Sequence, residues 1–547
     1  MGSLTRSTAS HIYPNVLAGL GALLIVACGH EPPKSGPHQS ILVAGTPMHG
    51  IQGLAWGPDG YLYAGAIAAQ RISKIHPATG NVETVVDAPL GEADDLALAE
   101  DGTLAWTAIV AGELRLRKPD GAVVTIAASL PGINPVAFRK DGRFVAGQLG
   151  FRDALFEFDP SGKTGPRLIT DAVKGLNSFE FGSDGRLYAP YWQAGILVAI
   201  DIDSGEIEEI AKDLGTPSAV SLDSQGRMVT VDYLAGKIQR TDPQTGKTEL
   251  ITTVAPPLDN LAVGPDDTIY VSDTANSGIL AINPTTGEQR TIVGGAFSTP
   301  GDLKITTVGG STALVVADST GFRFVDPVSG TVTRPPFNFA AGGSLSIDAT
   351  DEVLAFADAR SGRIHMINRK SGDMLWNTMG AQAPYGVLIA DSETAIVTEY
   401  SMGALRQYNG NAATLIVDGL DGPVGITRAG PRSVYVTENN SGHITLIDLV
   451  EKTKVRVASG LDRPEGLALM KDGRLAVVEA ATNSLSAIDL ATGEKTVLAS
   501  GLPLNVAVIL APEAVGMPAG VAVAADGAIY VSCAGDSSIR KITIDGN

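Results

Sequence analysis

The chain has 547 residues, of which 64 are glycine, 31 are proline and two are cysteine, and 44% are hydrophobic. This length exceeds one ordinary domain, and the apolar content excludes both a disordered chain and a small disulfide scaffold. The 40 basic and 59 acidic residues give a net charge of −19, so the surface would repel nucleic acid and other polyanions. The many glycines predict tight turns and therefore many short strands.

The N-terminus has the pattern of a targeting segment. An apolar stretch between His11 and Cys28 has the length of a signal-peptide core and is short for a membrane span. Residues 25–28, Ile-Val-Ala-Cys, resemble the bacterial lipobox, in which the cysteine is lipidated and becomes the mature N-terminus. We therefore predict a lipoprotein-type signal peptide over residues 1–28, a tether over 29–39, and a cell-envelope protein whose only membrane contact is its lipid anchor. An ordinary cleaved signal peptide or an uncleaved anchor is the alternative.

From about residue 50 the chain repeats one pattern twelve times. Each unit contains an alternating apolar run, a turn such as Asp101-Gly102, a second apolar run, a polar loop, a third run, another turn and a last run. This alternation between turn residues indicates four strands per unit. The residues that precede the first strands, which we call anchors, are Gln52, Asp94, Asn134, Asn177, Ser218, Asp259, Gly301, Gly343, Tyr385, Val424, Glu465 and Ala519. A four-stranded unit of about 40 to 45 residues is typical of a β-propeller blade.

Twelve blades divide most simply into two rings, because propellers hold four to eight blades. We predict an all-β fold of two tandem six-bladed β-propellers over residues 40–287 and 288–547, in a monomer; seven plus five blades is the alternative. The last unit lacks a fourth strand, whereas the chain opens with an orphan strand. Because ring closure removes unpaired strand edges, we predict that residues 41–44 close the first ring and residues 289–293 the second. A crossed arrangement, in which the N-terminal strand closes the second ring, stays open.

The first channel carries the candidate chemistry. First strands begin where second strands end, so anchors and second-strand ends, such as Tyr191, are expected at one mouth. All six anchors of the first ring are polar, and hard cations prefer carboxylate and amide oxygens. The Asp/Asn ring is therefore suited to Ca²⁺ or another divalent cation, with a merely polar, wet channel as the alternative.

The second ring carries acidic residues in corresponding positions. They are Asp318, Asp358, Glu399, Glu438 and Glu479 at the second-strand ends, with Glu465 as an anchor. A carboxylate at such a strand end commonly accepts hydrogen bonds from loop N–H groups, which favours a structural role. Convergence of these groups would instead raise their pKa values or recruit a cation.

An insertion precedes the last unit. Residues 503–517 are mostly apolar and lengthen the connection to the first strand of the last unit. Such a loop at a channel mouth is either a lid or docking patch for an apolar partner, or a segment packed onto its own blade.

Two blade motifs carry a resemblance. They are Gly-Leu-Ala-x-x-Pro-Asp-Gly from Gly53 and Tyr-Val-Ser-Asp-x-x-x-Ser-x-Ile from Tyr270, and they resemble the senescence marker protein/gluconolactonase family, the NHL repeats and the streptogramin lyases. The gluconolactonase resemblance implies a lactonase with one divalent cation in the channel. The metal-site pattern of that family falls in direct register on Gln52, Asn134, Asn177 and Ser218, and one blade later on Asp94, Asn177, Ser218 and Asp259.

Two functions follow from this resemblance. The first is a Ca²⁺-dependent lactone or ester hydrolase in which Asp94 or Asp259 is a ligand or the general base. Its metal ligands would be Asp94, Asn177, Ser218 and Asp259, and its substrate-binding residues Gln52, Asn134, Asn177 and Tyr191. The second is a non-catalytic binding lipoprotein that recognises a protein, peptide or glycan through its propeller faces.

Overall fold

Twelve four-stranded sheets make up the fold. The computed structural model describes residues 37–150, 152–335, 344–505 and 516–544. The predicted signal peptide with Cys28, most of the tether, the anchor Gly343 and residues 506–515 of the insertion lie outside these ranges. The described residues contain strands and turns but no helix. They therefore include no helix that could cross a membrane. The predicted all-β class is confirmed.

The first propeller consists of blades 1 to 6, each with four antiparallel strands in chain order. Its strands are β2 (Ile51–Trp56), β3 (Leu62–Ala66), β4 (Arg71–Ile75) and β5 (Val82–Val86); β6 (Leu96–Leu98), β7 (Leu104–Ala108), β8 (Glu113–Arg117) and β9 (Val123–Ala127); β10 (Ile133–Phe138), β11 (Phe144–Gln148), β12 (Ala154–Phe158) and β13 (Arg167–Thr170); β14 (Glu180–Phe181), β15 (Leu187–Tyr191), β16 (Ile196–Ile200) and β17 (Ile207–Ala211); β18 (Pro217–Leu222), β19 (Met228–Asp232), β20 (Lys237–Thr241) and β21 (Thr248–Thr253); β22 (Leu261–Val263), β23 (Ile269–Asp273), β24 (Gly278–Ile282) and β25 (Gln289–Val293).

The second propeller consists of blades 7 to 12. Its strands are β26 (Pro300–Val308), β27 (Ser311–Asp318), β28 (Gly321–Val325) and β29 (Val332–Thr333); β30 (Ser346–Ala349), β31 (Val353–Asp358), β32 (Arg363–Asn368) and β33 (Met374–Thr378); β34 (Pro384–Ile389), β35 (Ala395–Glu399), β36 (Ala404–Asn409) and β37 (Ala412–Val417); β38 (Pro423–Gly430), β39 (Ser433–Glu438), β40 (His443–Asp448) and β41 (Lys454–Ala458); β42 (Pro464–Leu469), β43 (Leu475–Glu479), β44 (Ser484–Ile488) and β45 (Lys495–Ser500); β46 (Val521–Val523), β47 (Ile529–Cys533) and β48 (Ser538–Thr543), completed by β1 (His38–Val43).

The innermost strands of each propeller form a closed ring of six. In the first ring β2, β6, β10, β14, β18 and β22 contact their neighbours in turn, and β22 returns to β2. In the second ring β26, β30, β34, β38, β42 and β46 do the same, and β46 returns to β26. The prediction of two tandem six-bladed propellers is confirmed.

The predicted ring closure was wrong, and the crossed alternative is the one observed. Strand β1 pairs antiparallel with β48, with Gln39 opposite Ile542, and so closes the second ring. Residues 289–293 form β25, which pairs with β24 in blade 6. Blade 6 therefore has its own fourth strand, whereas blade 12 ends on the open edge of β48, which is the edge that needs a partner. The first propeller spans 51–293, so the boundary predicted near residue 287 lies between Val293 and Pro300.

Two glycines show the same closure from the outer strands. A Cβ atom on Gly80 of blade 1 would lie 2.2 Å from the carbonyl oxygen of Ile292 in β25. A Cβ atom on Gly330 of blade 7 would lie 2.1 Å from the carbonyl oxygen of Leu42 in β1. Both glycines have positive φ angles, +72° in each case, which a residue without a side chain adopts at little cost. Each ring therefore closes with a turn packed on the last strand of the preceding blade.

A buried arginine connects the two propellers. Arg323 in β28 is 1% exposed, and its Nη2 donates to the carbonyl oxygen of Ala275 in the first propeller at 2.8 Å. The same nitrogen lies 3.3 Å from Oδ2 of Asp318, which is fully buried. Because two buried charges are tolerated only when they are paired, this ion pair constrains how blade 7 meets the first propeller.

Candidate active site in the first propeller

First-strand starts and second-strand ends lie on one face of each ring, which we call the mouth. The antiparallel register places Ile133 opposite Gln148 in blade 3 and Pro217 opposite Asp232 in blade 5. The second propeller shows the same pairing, with Pro464 opposite Glu479. Anchors and second-strand ends therefore surround the mouth of the channel together.

Two anchor carboxylates act on each other at the mouth of the first channel. Asp94 of blade 2 and Asp259 of blade 6 are both half-buried. Burial, followed by the charges of Asp259, Asp95 and Glu92, raises the pKa of Asp94 well above its usual value. Burial, followed by the charge of Asp95, raises the pKa of Asp259 to about 7. The mouth therefore holds carboxyl groups whose charged forms are disfavoured, and a nearby cation would stabilise those charged forms.

Asp95, the residue after Asp94, accepts hydrogen bonds from across the channel. Its Oδ1 accepts hydrogen bonds from Nδ2 of Asn260 at 2.9 Å and Oγ of Ser178 at 3.4 Å, and its Oδ2 accepts one from the backbone N–H of Val136 at 3.1 Å. These partners come from blades 6, 4 and 3, so one carboxylate bridges most of the ring. Burial raises the pKa of Asp95 to about 7. Beyond it, a cavity of about 460 Å³ extends towards the opposite face.

The sequence-based prediction did not include this hydrogen-bond network around Asp95. Asp95, Ser178 and Asn260 each follow an anchor by one residue, on alternate blades. The sequence feature that could have identified these residues is a second polar residue directly after the anchors Asp94, Asn177 and Asp259.

The amide residues predicted at the site differ in their partners. Asn134 is 5% exposed, and its Oδ1 is buried without a hydrogen-bond partner among the described residues. Asn177 is 6% exposed, and its Oδ1 accepts a hydrogen bond from the N–H of Ser178 at 3.0 Å. Gln52 is half-buried. Asn134 thus offers an amide oxygen that still requires a hydrogen-bond donor or a cation.

The two hydroxyl groups predicted at the site also differ. The Oγ of Ser218 lies 3.4 Å from the carbonyl oxygens of Val231 and Leu258, so this side chain is directed at the main chain. The hydroxyl group of Tyr191 is buried without a hydrogen-bond partner among the described residues. Burial, followed by the charge of Asp153, raises the pKa of Tyr191 to about 12, so it remains a neutral donor at physiological pH.

The oxygen atoms at this mouth could serve as ligands of a divalent cation. No group of three or more His, Cys, Asp or Glu side chains in the described part of the chain is arranged to hold a metal ion. A site at this mouth would therefore combine the carboxylate of Asp94 with the amide oxygen of Asn134, beside the carboxylate of Asp259. Carboxylate and amide oxygens are the ligands that hard cations such as Ca²⁺ take, so the chemistry of this set fits.

The acidic residues of the second propeller bond to their own blades. Each accepts a hydrogen bond from a loop N–H group, namely Thr299 to Asp318 at 2.7 Å, Arg360 to Asp358 at 3.0 Å, Gln382 to Glu399 at 3.2 Å, Asp421 to Glu438 at 2.7 Å and Asp462 to Glu479 at 2.9 Å. A carboxylate held in this way stabilises a turn. These five residues thus support the mouth loops of their blades.

Glu465 and the end of the insertion meet at the second mouth. Oε2 of Glu465 accepts a hydrogen bond from the N–H of Ala519 at 2.7 Å, and burial raises the pKa of this carboxyl to about 7. Met517 packs in a cluster with Leu345, Tyr385 and Val424. The last described part of the insertion therefore lies against the channel mouth rather than on the outer surface.

One protein-family model matches part of this chain. A family model described as outer membrane protein assembly factor BamB matches residues 234–496, a stretch that begins in the first propeller and ends in the second. The search of curated proteins found no match.

Solved structures similar to this chain include two enzymes and an extracellular domain. Virginiamycin B lyase from Staphylococcus aureus is 15% identical over 52% of this chain and 95% of its own, with a TM-score of 0.38. A gluconolactonase from Xanthomonas campestris is 13% identical over 43% and 86%, with a TM-score of 0.37. The extracellular domain of a putative one-component system from B. thetaiotaomicron is 12% identical over 90% and 75%, with a TM-score of 0.32.

The sheet topology of the described residues itself establishes the β-propeller fold. Many different activities share a β-propeller fold, so the fold by itself assigns none of them to this chain.

Proposed function

We propose that the first propeller binds a divalent cation, such as Ca²⁺, at its mouth and hydrolyses a lactone or ester there. The observation that carries the proposal is the convergence of Asp94 and Asp259 on one mouth, where each bears a raised pKa. The unpartnered Oδ1 of Asn134 supports it from a third blade. The reaction class rests on the resemblance of the blade motifs to the gluconolactonase family.

The side chains at the mouth of the first propeller have different roles in the proposed reaction. A bound cation supplies Lewis-acid polarisation of the substrate carbonyl and lowers the pKa of water. Asp94 and Asn134 would hold the cation, while Asp259, as a carboxylate beside it, is suited to accept a proton. It takes the proton of the attacking water as the water oxygen bonds to the acyl carbon, and returns it to the leaving alcohol oxygen as the acyl carbon–oxygen bond breaks.

The location of the protein is part of this proposal. We propose that Cys28 carries the lipid anchor and that the propellers lie in the cell envelope outside the cytoplasm. Cys28→Ser should move the protein from the membrane fraction to the soluble fraction and abolish incorporation of a labelled fatty acid. The lipid anchor would be contradicted if Cys28→Ser stayed in the membrane fraction and the unaltered protein incorporated no labelled fatty acid.

Calorimetry tests the cation site directly. Titration of Ca²⁺ into the protein should show binding with proton release, because a cation displaces protons from Asp94 and Asp259. The double variant Asp94→Asn/Asp259→Asn should lose this binding, whereas Asp358→Asn, the matched change at the second mouth, should retain it. An unaltered titration in the double variant would refute the site.

Turnover is measured separately from binding. A panel of lactones and aryl esters should be hydrolysed in the presence of the cation and not after chelation. Asp259→Asn should reduce kcat by about a hundredfold or more, as loss of a general base does. Cation binding without turnover on the panel would remove the hydrolase assignment and leave a cation-dependent binding site.

A further inference from the structure

A groove crosses the mouth face of the second propeller, away from the proposed cation site. It is formed by the mouth loops of blades 8, 9 and 10, and encloses about 1270 Å³. Pockets for single small molecules usually measure about 300 to 1,000 Å³, so this groove has room for a ligand built of several units. We call it the blade 8–10 groove.

One wall of the groove is aromatic. The rings of Tyr385 and Tyr400 lie 5.5 Å apart between centroids at an angle of 69°, in an edge-to-face arrangement. Tyr385 is buried, whereas Tyr400 is half-buried and lines the open groove. An aromatic ring held against a second ring offers a rigid apolar face at a small cost in conformational entropy. Such a face suits the C–H surface of a flat, saturated ring.

The adjoining wall is a chain of hydrogen bonds that ends in an exposed acceptor and an exposed donor. The hydroxyl group of Tyr400 donates to Oδ1 of Asn440 at 2.8 Å, and Nδ2 of Asn440 donates to Oδ1 of Asp421 at 3.3 Å. Asp421 and Asn440 are exposed, so the remaining carboxylate oxygen and amide hydrogen can face a ligand. Adjacent donors and acceptors of this kind match the vicinal hydroxyl groups of a sugar.

The wall is formed before any ligand arrives. Gly422 has a φ of +65°, and a Cβ atom there would lie 2.6 Å from Nδ2 of Asn440 and 2.8 Å from Cε2 of Tyr400. Only a residue without a side chain lets these two groups pack so closely. The orientation of the tyrosine and the asparagine is therefore imposed by the blade, which reduces the entropy lost on binding.

The charge of the groove selects among ligands. Its lining holds one cation, Arg360, and one carboxylate, Asp421. This balance, within a chain of net charge −19, disfavours an anionic polymer. From the aromatic face, the hydrogen-bonding wall and the neutral balance, we infer that the blade 8–10 groove binds a neutral oligosaccharide. The site does not require the cation or the activity proposed for the first propeller.

Calorimetry with defined sugars tests this inference. Cellotetraose, maltotetraose, xylotetraose and tetra-N-acetylchitotetraose would be titrated into the full mature protein, in the presence of a chelator. At least one should bind. Tyr400→Ala should weaken that binding about tenfold by removing the ring, and Tyr400→Phe should weaken it about threefold by removing only the hydroxyl group. Tyr61→Ala, on blade 1 of the first propeller, should leave it unchanged.

Further variants keep the result independent of folding and of the first propeller. Asn440→Ala changes an exposed side chain and should weaken sugar binding without altering the unfolding temperature. Asp94→Asn/Asp259→Asn should leave sugar binding intact. The inference is overturned if no sugar of the panel binds, or if binding is insensitive to both Tyr400→Ala and Asn440→Ala. Binding of a random peptide pool that is lost in Tyr400→Ala, without sugar binding, would assign the groove to peptides instead.

Discussion

The side-chain amide of Asn260 donates a 2.9 Å hydrogen bond to Oδ1 of Asp95 across the channel of the first propeller. The bond joins blade 6 to blade 2, which are separated in the ring by blade 1. Because Asn260 directly follows Asp259, and Asp95 directly follows Asp94, the same bond fixes the spacing of the two carboxylates at the mouth. The position of the proposed cation site therefore depends on the hydrogen bond between Asn260 and Asp95.

Removal of the Asp95 charge should change the titration of the mouth. In the protein without added cation, Asp95→Asn should lower the pKa of Asp259, because the charge of Asp95 is one of the causes that raise it. Carboxyl-carbon NMR titration of both proteins measures the change. Asp266→Asn, an exposed change on blade 6, serves as the control. An unchanged or higher pKa of Asp259 would show that burial alone sets its value.

Glu465 should make stability depend on pH. Burial raises its pKa in the folded protein to about 7, from 4.5, so the folded carboxyl keeps its proton where the unfolded one has lost it. Stability should therefore fall as pH rises from about 4.5 to 7 and level off above, by up to about 3 kcal/mol from this group.

The variant Glu465→Gln isolates this contribution. Urea unfolding at pH 5 and pH 8 should show a smaller loss of stability between the two pH values than in the unaltered protein. The exposed residue Glu451, changed to Gln, should leave the difference as it was. A difference that Glu465→Gln does not reduce would contradict the expected pH dependence.

Loss of β1 should destabilise the second propeller alone. Deletion of residues 1–44 exposes the edge of β48 and removes Val43, which is 6% exposed and packs in the cluster of blades 7 and 12. Burial of one valine side chain contributes about 1.5 to 3 kcal/mol. Hydrogen exchange should accelerate in β46–β48 and remain unchanged in β2–β5. Faster exchange in blade 1 would indicate that β1 supports the first ring.

The Arg323 ion pair should be costly to break. Arg323→Met leaves Asp318 buried without its cation, so unfolding of the second propeller should become easier by about 3 kcal/mol or more. The added change Asp318→Asn should recover part of that loss because no buried charge remains. Arg363→Met, at an exposed position, is the control. A neutral effect of Arg323→Met on urea unfolding would show that the pair contributes nothing to stability.

Local patterns accounted for the blades. In the turn at Asp101-Gly102, for example, Oδ1 of Asp101 accepts a hydrogen bond from the N–H of Thr103 at 2.8 Å and Gly102 has a φ of +85°. Such turns depend on residues within a few positions of each other, and so do the alternating strands beside them. For this reason the number of blades, their strand count and the positions of the mouth residues could be predicted.

Contacts between distant residues could not be predicted in the same way. The partners Ser40 and Lys541 in the β1–β48 pair lie 501 residues apart, and either ring presented a plausible place for an orphan strand. Asp95 depends likewise on Asn260, Ser178 and Val136, which only ring closure brings together. The sequence by itself determined the all-β repeat and the acidic mouths, because these follow from short-range periodicity. Only the tertiary structure decided which ring β1 closes and which carboxylate bridges the channel, because both depend on the pairing of edges and side chains from distant blades.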